Sequence, residues 1–478
     1  MSRINSNVSS LIARSNLAKT NVDLNTRLQR LSTGLRINRG ADDPAGLIIS
    51  NRIGSEISGL NQAIKNSERA SSVIATAESS LSEVSDLLVS IKGLVVEAAN
   101  TGALSAEERQ ANQLQLDSAI ESITRISNSA SFGGLKLLNG SLDYVLSGLR
   151  SSAVSNAKIL AANFGTSKTM QVQVQTVASA QTGRLFMRGD YVGGLGNGVF
   201  QSTVNLEIAG PRGVQTLTVI SGRTLSEAVA GINAFRESTG VSASLINGNS
   251  NSGIVYSTIG YGSNEFISVK RLGGPSDGGF FKTYRMDDLA KLPASTNIYA
   301  MISGGTLIEA NRDIGRDVSA TVNGVIANGN GLKMSLPYAG ALSLELVLSE
   351  DLAPRPNSTT TFNITGGGAL YQLGGDINSS QQVFLSLPSI AASRIGGTLI
   401  NGQLQFLSTL RSGGGNDLNS GNFVNASSIL TTAIDEISVT RGRLGALEKN
   451  TLETNSQSLQ TAIENLSASQ SVIRDADF

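Results

Sequence analysis

The sequence predicts an α+β protein in which both chain ends form one elongated coiled-coil helical stalk, with a β-rich insertion of one or two small α/β or β domains between them. Three patterns point there. Apolar residues recur at three- and four-residue steps across the first hundred positions, and a seven-residue recurrence runs from 430 to 473. From about residue 168 to about 400 the period falls to two. The expected divisions are 1–40 as a first helix ordered only with a covering partner, 41–175 as the first part of the stalk, 176–400 as a solvent-facing insertion, and 401–478 as the second part.

The first helix carries Ile4, Val8, Leu11, Ala18 and Val22 on one narrow stripe, continued on a shifted line by Leu24, Leu28, Leu31 and Leu35. Asn5, Asn7, Asn16, Asn21 and Asn25 are modest helix formers, so this helix needs a covering partner. The stretch "LSTGLRINRGADDPAGLIISNRI" at 31–53 then breaks the pattern. Gly34 and Gly40 are expected to stop the first helix, Asp42 or Asp43 to cap the next, and Pro44 to occupy its first turn, where no amide partner is needed.

The second helix has Ile53, Ile57, Leu60 and Ile64, a six-residue slip, and then Ala70, Ile74, Ala77, Leu81, Val84, Leu88, Ile91 and Val95. Asn100, Thr101 and Gly102 close it. Ser105 and Glu108 form a capping box that opens a third helix to about Ser129. In the middle, "MQVQVQTV" (170–177), "VNLEIAG" (204–210), "VQTLTVI" (214–220) and "LSLELVL" (342–348) alternate as strands. "TLSEAVAGINAFRESTG" (224–240) is a short amphipathic helix capped by Thr224 and stopped by Gly240. A small α/β module followed by a β-rich one is expected. At the far end Leu430, Ile434, Ile437, Leu444, Leu452, Leu459, Leu466 and Ile473 recur with one eight-residue step, so 423–475 reads as a single helix of about 80 Å. A seam that long is unstable uncovered, so Ile74, Leu81, Val84, Leu88, Ile91 and Val95 are expected to face it.

Composition narrows the function. Basic and acidic residues balance at 37 each, which gives no field for nucleic acid. With no cysteine and no histidine, thiol catalysis, Ser-His-Asp triads and histidine-based zinc sites are excluded. No enzyme, metal or cofactor is expected. "GGLGNG" (193–198) lacks the strand-to-helix context of a phosphate loop, and Asp277, Asp287 and Asp288 lack the ligand spacing of a calcium loop. No apolar run reaches the length of a membrane span, and no apolar leader opens the chain, although residues 1–40 are basic and serine-rich as transit peptides are.

Three stretches carry a family likeness: "INSNVSSLIARSNLAKTNVDLNTRLQRLSTGLRINRGADDPAGLIISNRI" (4–53), "SFGGLKLLNG" (131–140) and "RGRLGALEKNTLETNSQSLQTAIENLSASQSVIRDADF" (441–478). Together they resemble bacterial flagellin, the subunit of the flagellar filament. "NLEIAGPRGVQTLTV" with "YGSNEFISV" resembles the flagellin insertion motif, and "YQLGGDINSSQQVFLSL" (371–387) resembles the segment that re-enters the helical domain. The resemblance implies a polymerising structural subunit for swimming motility, located outside the cell and exported without a cleaved signal. It implies as partners other copies or other flagellins, an export chaperone and the export apparatus, and the filament cap and hook-junction proteins. The segment 31–53 would join an inner-tube helix to the outer-tube bundle.

Two departures from the family pattern matter. Flagellins continue past "IRDADF" into a second inner helix, whereas this chain stops at Phe478. A trimmed subunit, or else an unusual paralogue, is expected, behaving as a soluble monomer or weak oligomer; long filaments from this chain alone in electron micrographs would contradict that. Second, the Leu-x-Arg-x-x-x-Leu motif read by a Toll-like receptor aligns with Leu88, Ser90 and Leu94, and a receptor-site glutamate aligns with Gln115. Two charged hydrogen-bonding groups are lost, so receptor activation is expected to be weak or absent. A hook-filament junction protein and a filament-displayed adhesin are the alternatives.

Overall fold

The computed structural model describes residues 7–165, 167–187, 198–200, 202–248, 253–273, 282–286, 307–339, 342–400 and 402–477. Ile4, most of the 193–198 glycine run, and Asp277, Asp287 and Asp288 fall outside them. The helices are α1 (Val8–Thr33), α2 (Pro44–Ala98), α3 (Ala106–Ser129), α4 (Leu225–Ala234), α5 (Arg236–Thr239), α6 (Phe423–Leu447) and α7 (Thr454–Arg474). Two compact units are present. The first holds Met1–Ser79, Leu370–Val383 and Thr440–Phe478, and the second Ser80–Ala369 and Phe384–Val439.

In the first unit, residues 44–79 of α2 run against the C-terminal helix. Gln470 Nε2 donates to the Ser50 carbonyl at 2.9 Å, Ser71 Oγ donates to Glu448, and Arg441 Nε meets Glu78 Oε1 at 2.7 Å. Partner numbers fall as α2 numbers rise, so the pair is antiparallel. The segment 371–383 straps both helices: Asn66 donates to the Gln372 carbonyl and Asn455 to that of Leu373. Gly59 faces Gly375 so closely that a Cβ on Gly375 would lie 3.3 Å from Leu60 Cδ2.

The expected single helix over 423–475 is corrected in one place. A π-helical turn, Glu448–Glu453, joins α6 to α7. It falls on the eight-residue step between Leu444 and Leu452. One extra residue in an α-helix rotates everything beyond it by about 100°, whereas a π turn absorbs that residue. Leu444 and Leu452 therefore both stay buried.

In the second unit Leu81, Val84, Leu88, Ile91 and Val95 of α2, Leu116, Ile120 and Ile123 of α3, and Ile429, Leu430, Ala433 and Ile437 of α6 are all buried. Each such side chain contributes about 1.5–3 kcal/mol if fully removed from water. The capping box at Ser105 and Glu108 is formed as the sequence predicts.

A short hairpin, β1 (Ser131–Phe132) and β2 (Leu135–Lys136), follows α3. Then come β3 (Tyr144–Ser147), β4 (Val154–Ala162) and β5 (Met170–Ala178). These join β15 (Ser319–Val322), β16 (Val325–Asn330), β17 (Lys333–Ala339), β18 (Leu342–Leu348) and β19 (Thr359–Gly367) in one sheet ordered β3-β19-β5-β15-β16-β17-β18-β4. The sheet curls until its two edges meet: the Tyr144 hydroxyl accepts from the Ala162 amide at 2.9 Å and donates to the Ala162 carbonyl at 3.3 Å.

Two expectations change here. Strands β3 and β4 and most of β5 precede residue 176 and belong to this sheet, so the β-rich part begins at β3 rather than at 176. The α/β module also does not precede the β-rich one; it is nested within it, between β5 and β15. Strand β4 escaped detection because its burial does not alternate, and its pairing with β18 slips register twice.

The nested module contains β6 (Arg184–Met187), β7 (Val204–Gly210), β8 (Gly213–Val219), β9 (Val241–Leu245), β10 (Ile254–Thr258), β11 (Phe266–Arg271), β12 (Thr283–Met286), β13 (Leu307–Glu309) and β14 (Arg312–Ile314). They form a five-stranded sheet, β13-β12-β6-β10-β9, and a four-stranded one, β14-β11-β7-β8. Leu225, Ala228 and Ile232 of α4 share one core with Leu206, Ile208, Tyr256 and Val269. Thr224 caps α4 in a box with Glu227, and Gly240 ends α5 in the left-handed conformation; the expected single helix is split at Phe235.

Candidate assembly surface

Helix α1 is capped at both ends but buries nothing. Asn7 accepts from the Ser10 amide, and Gly34, with φ 69°, donates its N–H to the Arg30 carbonyl. Along it Val8, Leu11, Val22, Leu28 and Leu31 are 52–64% exposed, and Ala18, Ile12, Leu17 and Leu24 are exposed too. At about 100° per residue Val8, Leu11, Ala18 and Val22 lie opposite Leu17, Leu24, Leu28 and Leu31, so the helix is apolar on two sides. Nothing in the first unit covers this surface among the described residues. A lone helix of such modest formers is marginal in water, so a covering partner would decide whether it is ordered.

The break at 31–53 is a structured clasp. Asp43 caps α2 by accepting from the Gly46 amide at 2.9 Å, with Pro44 as the first helical residue. Asp42 folds the preceding loop back, accepting from the Arg39 and Asn38 amides at 2.9 and 3.0 Å. Those two bonds, Arg39 first, hold its carboxyl below the usual carboxylate range. A lowered folded-state pKa gives a contribution present above the unfolded pKa and lost as pH falls through the folded one. Amide protection at residues 38 and 39 is therefore expected to drop under acid in the wild type and to be low at every pH in Asp42→Asn, as read by hydrogen exchange.

Two residues sit differently from expectation. Leu35 lies beyond the helix, in an antiparallel bridge to Asp475, and Gly40 neither ends the helix nor takes the left-handed conformation; Gly34 alone does both. The bridge extends to Arg36, whose amide donates to the Arg474 carbonyl and whose guanidinium reaches the Ile473 carbonyl at 2.5 Å. A cation there satisfies and neutralises the exposed carbonyl end of α7. Ile37 beside it is buried. Sequence reading missed Arg36 and Ile37 because their partner lies more than four hundred positions away.

Of the seam residues, Ile74, Leu81, Val84, Leu88, Ile91, Val95, Leu444 and Leu452 are buried, while Leu459, Leu466 and Ile473 are half-buried. Of the positions aligned with the receptor motif, Leu88 is fully buried, Leu94 is half-buried, and Ser90 and Gln115 are exposed.

A polar clamp also went unseen in the sequence. Gln113 on α3 is buried, donating to the Leu410 carbonyl at 2.9 Å and accepting from the Leu418 amide at 2.8 Å. Asp117, one turn on, receives the Ser412 amide and hydroxyl. Together they fix the returning chain before it enters α6. Gln113→Leu leaves two buried backbone groups unpaired, each worth about 1–3 kcal/mol. The midpoint of helix melting by circular dichroism is expected to fall by several degrees, with Gln113→Glu losing less.

Among the described residues no cluster of acidic side chains could hold a metal ion, and no helix is long and apolar enough to cross a membrane.

Comparison with known proteins places these faces in context. Residues 4–143 match the family described as the bacterial flagellin N-terminal helical region. B-type flagellin of Pseudomonas aeruginosa is 45% identical over 138 residues, covering 29% of this chain and 28% of that protein. The flagellar filament 33 kDa core protein of Treponema phagedenis is 41% identical over 137 residues, covering 29% of this chain and 48% of that one. The chain thus spans less than half the length of these curated relatives. FliC of Burkholderia pseudomallei, a solved structure, aligns over 80% of this chain and 99% of its own at 15% identity, with a TM-score of 0.25.

Proposed function

We propose that this chain is a structural subunit that polymerises into the bacterial flagellar filament, with no catalytic role. One observation supports it above the rest: a 26-residue helix whose apolar surface is wholly unburied sits at the end of the chain that matches flagellins. Such a helix gains its partners from neighbouring copies. A rod with different patches on its two sides makes head-to-tail contacts that propagate as a helix rather than close into a ring. On this reading α2 with α6–α7 forms the coiled-coil stalk, and the clasp at 34–43 joins it to the inner helix. Export without a cleaved signal, a chaperone, and the cap and hook-junction proteins belong to the same reading, as does weak Toll-like receptor activation, which a reporter-cell assay checks.

The test uses bacteria that already build filaments. Expressed there, the chain should be recovered in filaments sheared from the cell surface, at many copies per filament. Recovery at a few copies near the hook would favour a junction protein, and absence from the sheared fraction would contradict the proposal.

A further inference from the structure

Every sheet edge presents unpaired backbone groups, and proteins blunt such edges or use them. In the second unit most edges are blunted. Strands β13 and β14 are three residues long and carry charge: Glu309 pairs with Lys282 at 2.7 Å, and Asp313 accepts from the Arg184 amide. Strand β9 is covered by a side chain, since Asn233 donates to the Ala243 carbonyl at 2.9 Å and accepts from its amide at 2.8 Å, standing in for a neighbouring strand. The edges β3 and β4 are closed on each other by Tyr144.

Among the edges of the three larger sheets strand β8 is the exception. It runs seven residues, "GVQTLTV", with no charge and no proline, and pairs on one side with β7 from Val204↔Val219 to Gly210↔Gly213. Among the described residues no backbone group pairs with its other side. Val214, Thr216 and Thr218 point to solvent, and Ile220 just beyond the strand is 58% exposed, Val214 57%. Alternate residues of an antiparallel edge strand turn their N–H and C=O groups outward, so this edge is a template for another strand.

We propose that β8 is a self-association edge, pairing antiparallel with β8 of a second copy about a two-fold axis at Leu217. The sequence is self-complementary in that register. Val214 faces Ile220 of the other copy and Thr216 faces Thr218, giving apolar and hydroxyl cross-strand pairs with no like charges opposed. Two four-stranded sheets thereby become one. The contact lies in the nested module and does not depend on α1.

The chain has no cysteine, so single thiols can be placed cleanly. Opposed residues in such a pair lie about 4.5–5.5 Å apart at Cα, within disulfide range. Full-length Thr216→Cys and Thr218→Cys chains, mixed and mildly oxidised, should give a heterodimer at least tenfold above either chain alone and above a Thr361→Cys control on the exposed face of β19. Thr216→Lys introduced into the Thr218→Cys chain should remove the heterodimer while circular dichroism stays unchanged. Equal yields in all mixtures, or a dominant Thr216→Cys homodimer, would overturn the pairing. Recovery of the same variants in sheared filaments reads the assembly proposal separately.

Discussion

Leu28→Asp with Leu31→Asp is expected to leave the melting of the protein unchanged and to remove it from sheared filaments almost entirely. Both side chains are more than half exposed and touch no core, so their replacement costs the free subunit within about 0.5 kcal/mol. In an assembled state the same positions would sit against neighbouring helices. Burying an unpaired carboxylate there costs several kcal/mol at each of many repeated contacts, enough to lower incorporation by a hundredfold or more. The control is Arg14→Asp on the same helix, about four turns from the two replaced leucines, which adds acid without touching them and should cost far less. Equal loss in both variants would point to a charge effect or failed export rather than to the stripe.

The second large effect contrasts two one-residue deletions. Removing Asn450 lets the π turn relax to α-helix, and the recurrence from Leu444 continues at seven residues. Helix melting should stay within a few degrees of wild type or rise. Removing Ser438 rotates the helix that follows by about 100° until the π turn can absorb the change, turning Leu444 out of its buried site. Loss of that burial costs about 2–5 kcal/mol, and melting of the helical part should fall by roughly 5–10 °C. The contrast is read by circular dichroism at a helical wavelength. If both deletions destabilise equally, the π turn is not what reconciles the eight-residue step with the seam.

Much of this architecture was legible because its causes are local. The caps at Asp43, Ser105 and Thr224, the stop at Gly34 and the alternation of β5, β7, β8 and β18 follow from neighbouring residues alone. Even the π turn left a local trace, the step from Leu444 to Leu452. What stayed hidden depends on distant partners. Arg36 reads as one more basic residue until the end of α7 is laid beside it, and Gln113 reads as a surface amide until the 407–418 segment returns over it. The nesting of the α/β module follows from β5 pairing with both β15 and β19, a choice among strands that alternation cannot make. The exposure of α1 was legible as a need for a partner, and the stripe alone does not say which chain supplies it.

Hydrogen exchange across residues 8–33, in the free subunit and within sheared filaments, tests the central claim most directly. If assembly orders α1, its amides exchange within seconds in free protein and at least a hundredfold more slowly in the filament, while seam amides near Leu88 are protected in both. Equal protection of 8–33 in the two states would contradict the account.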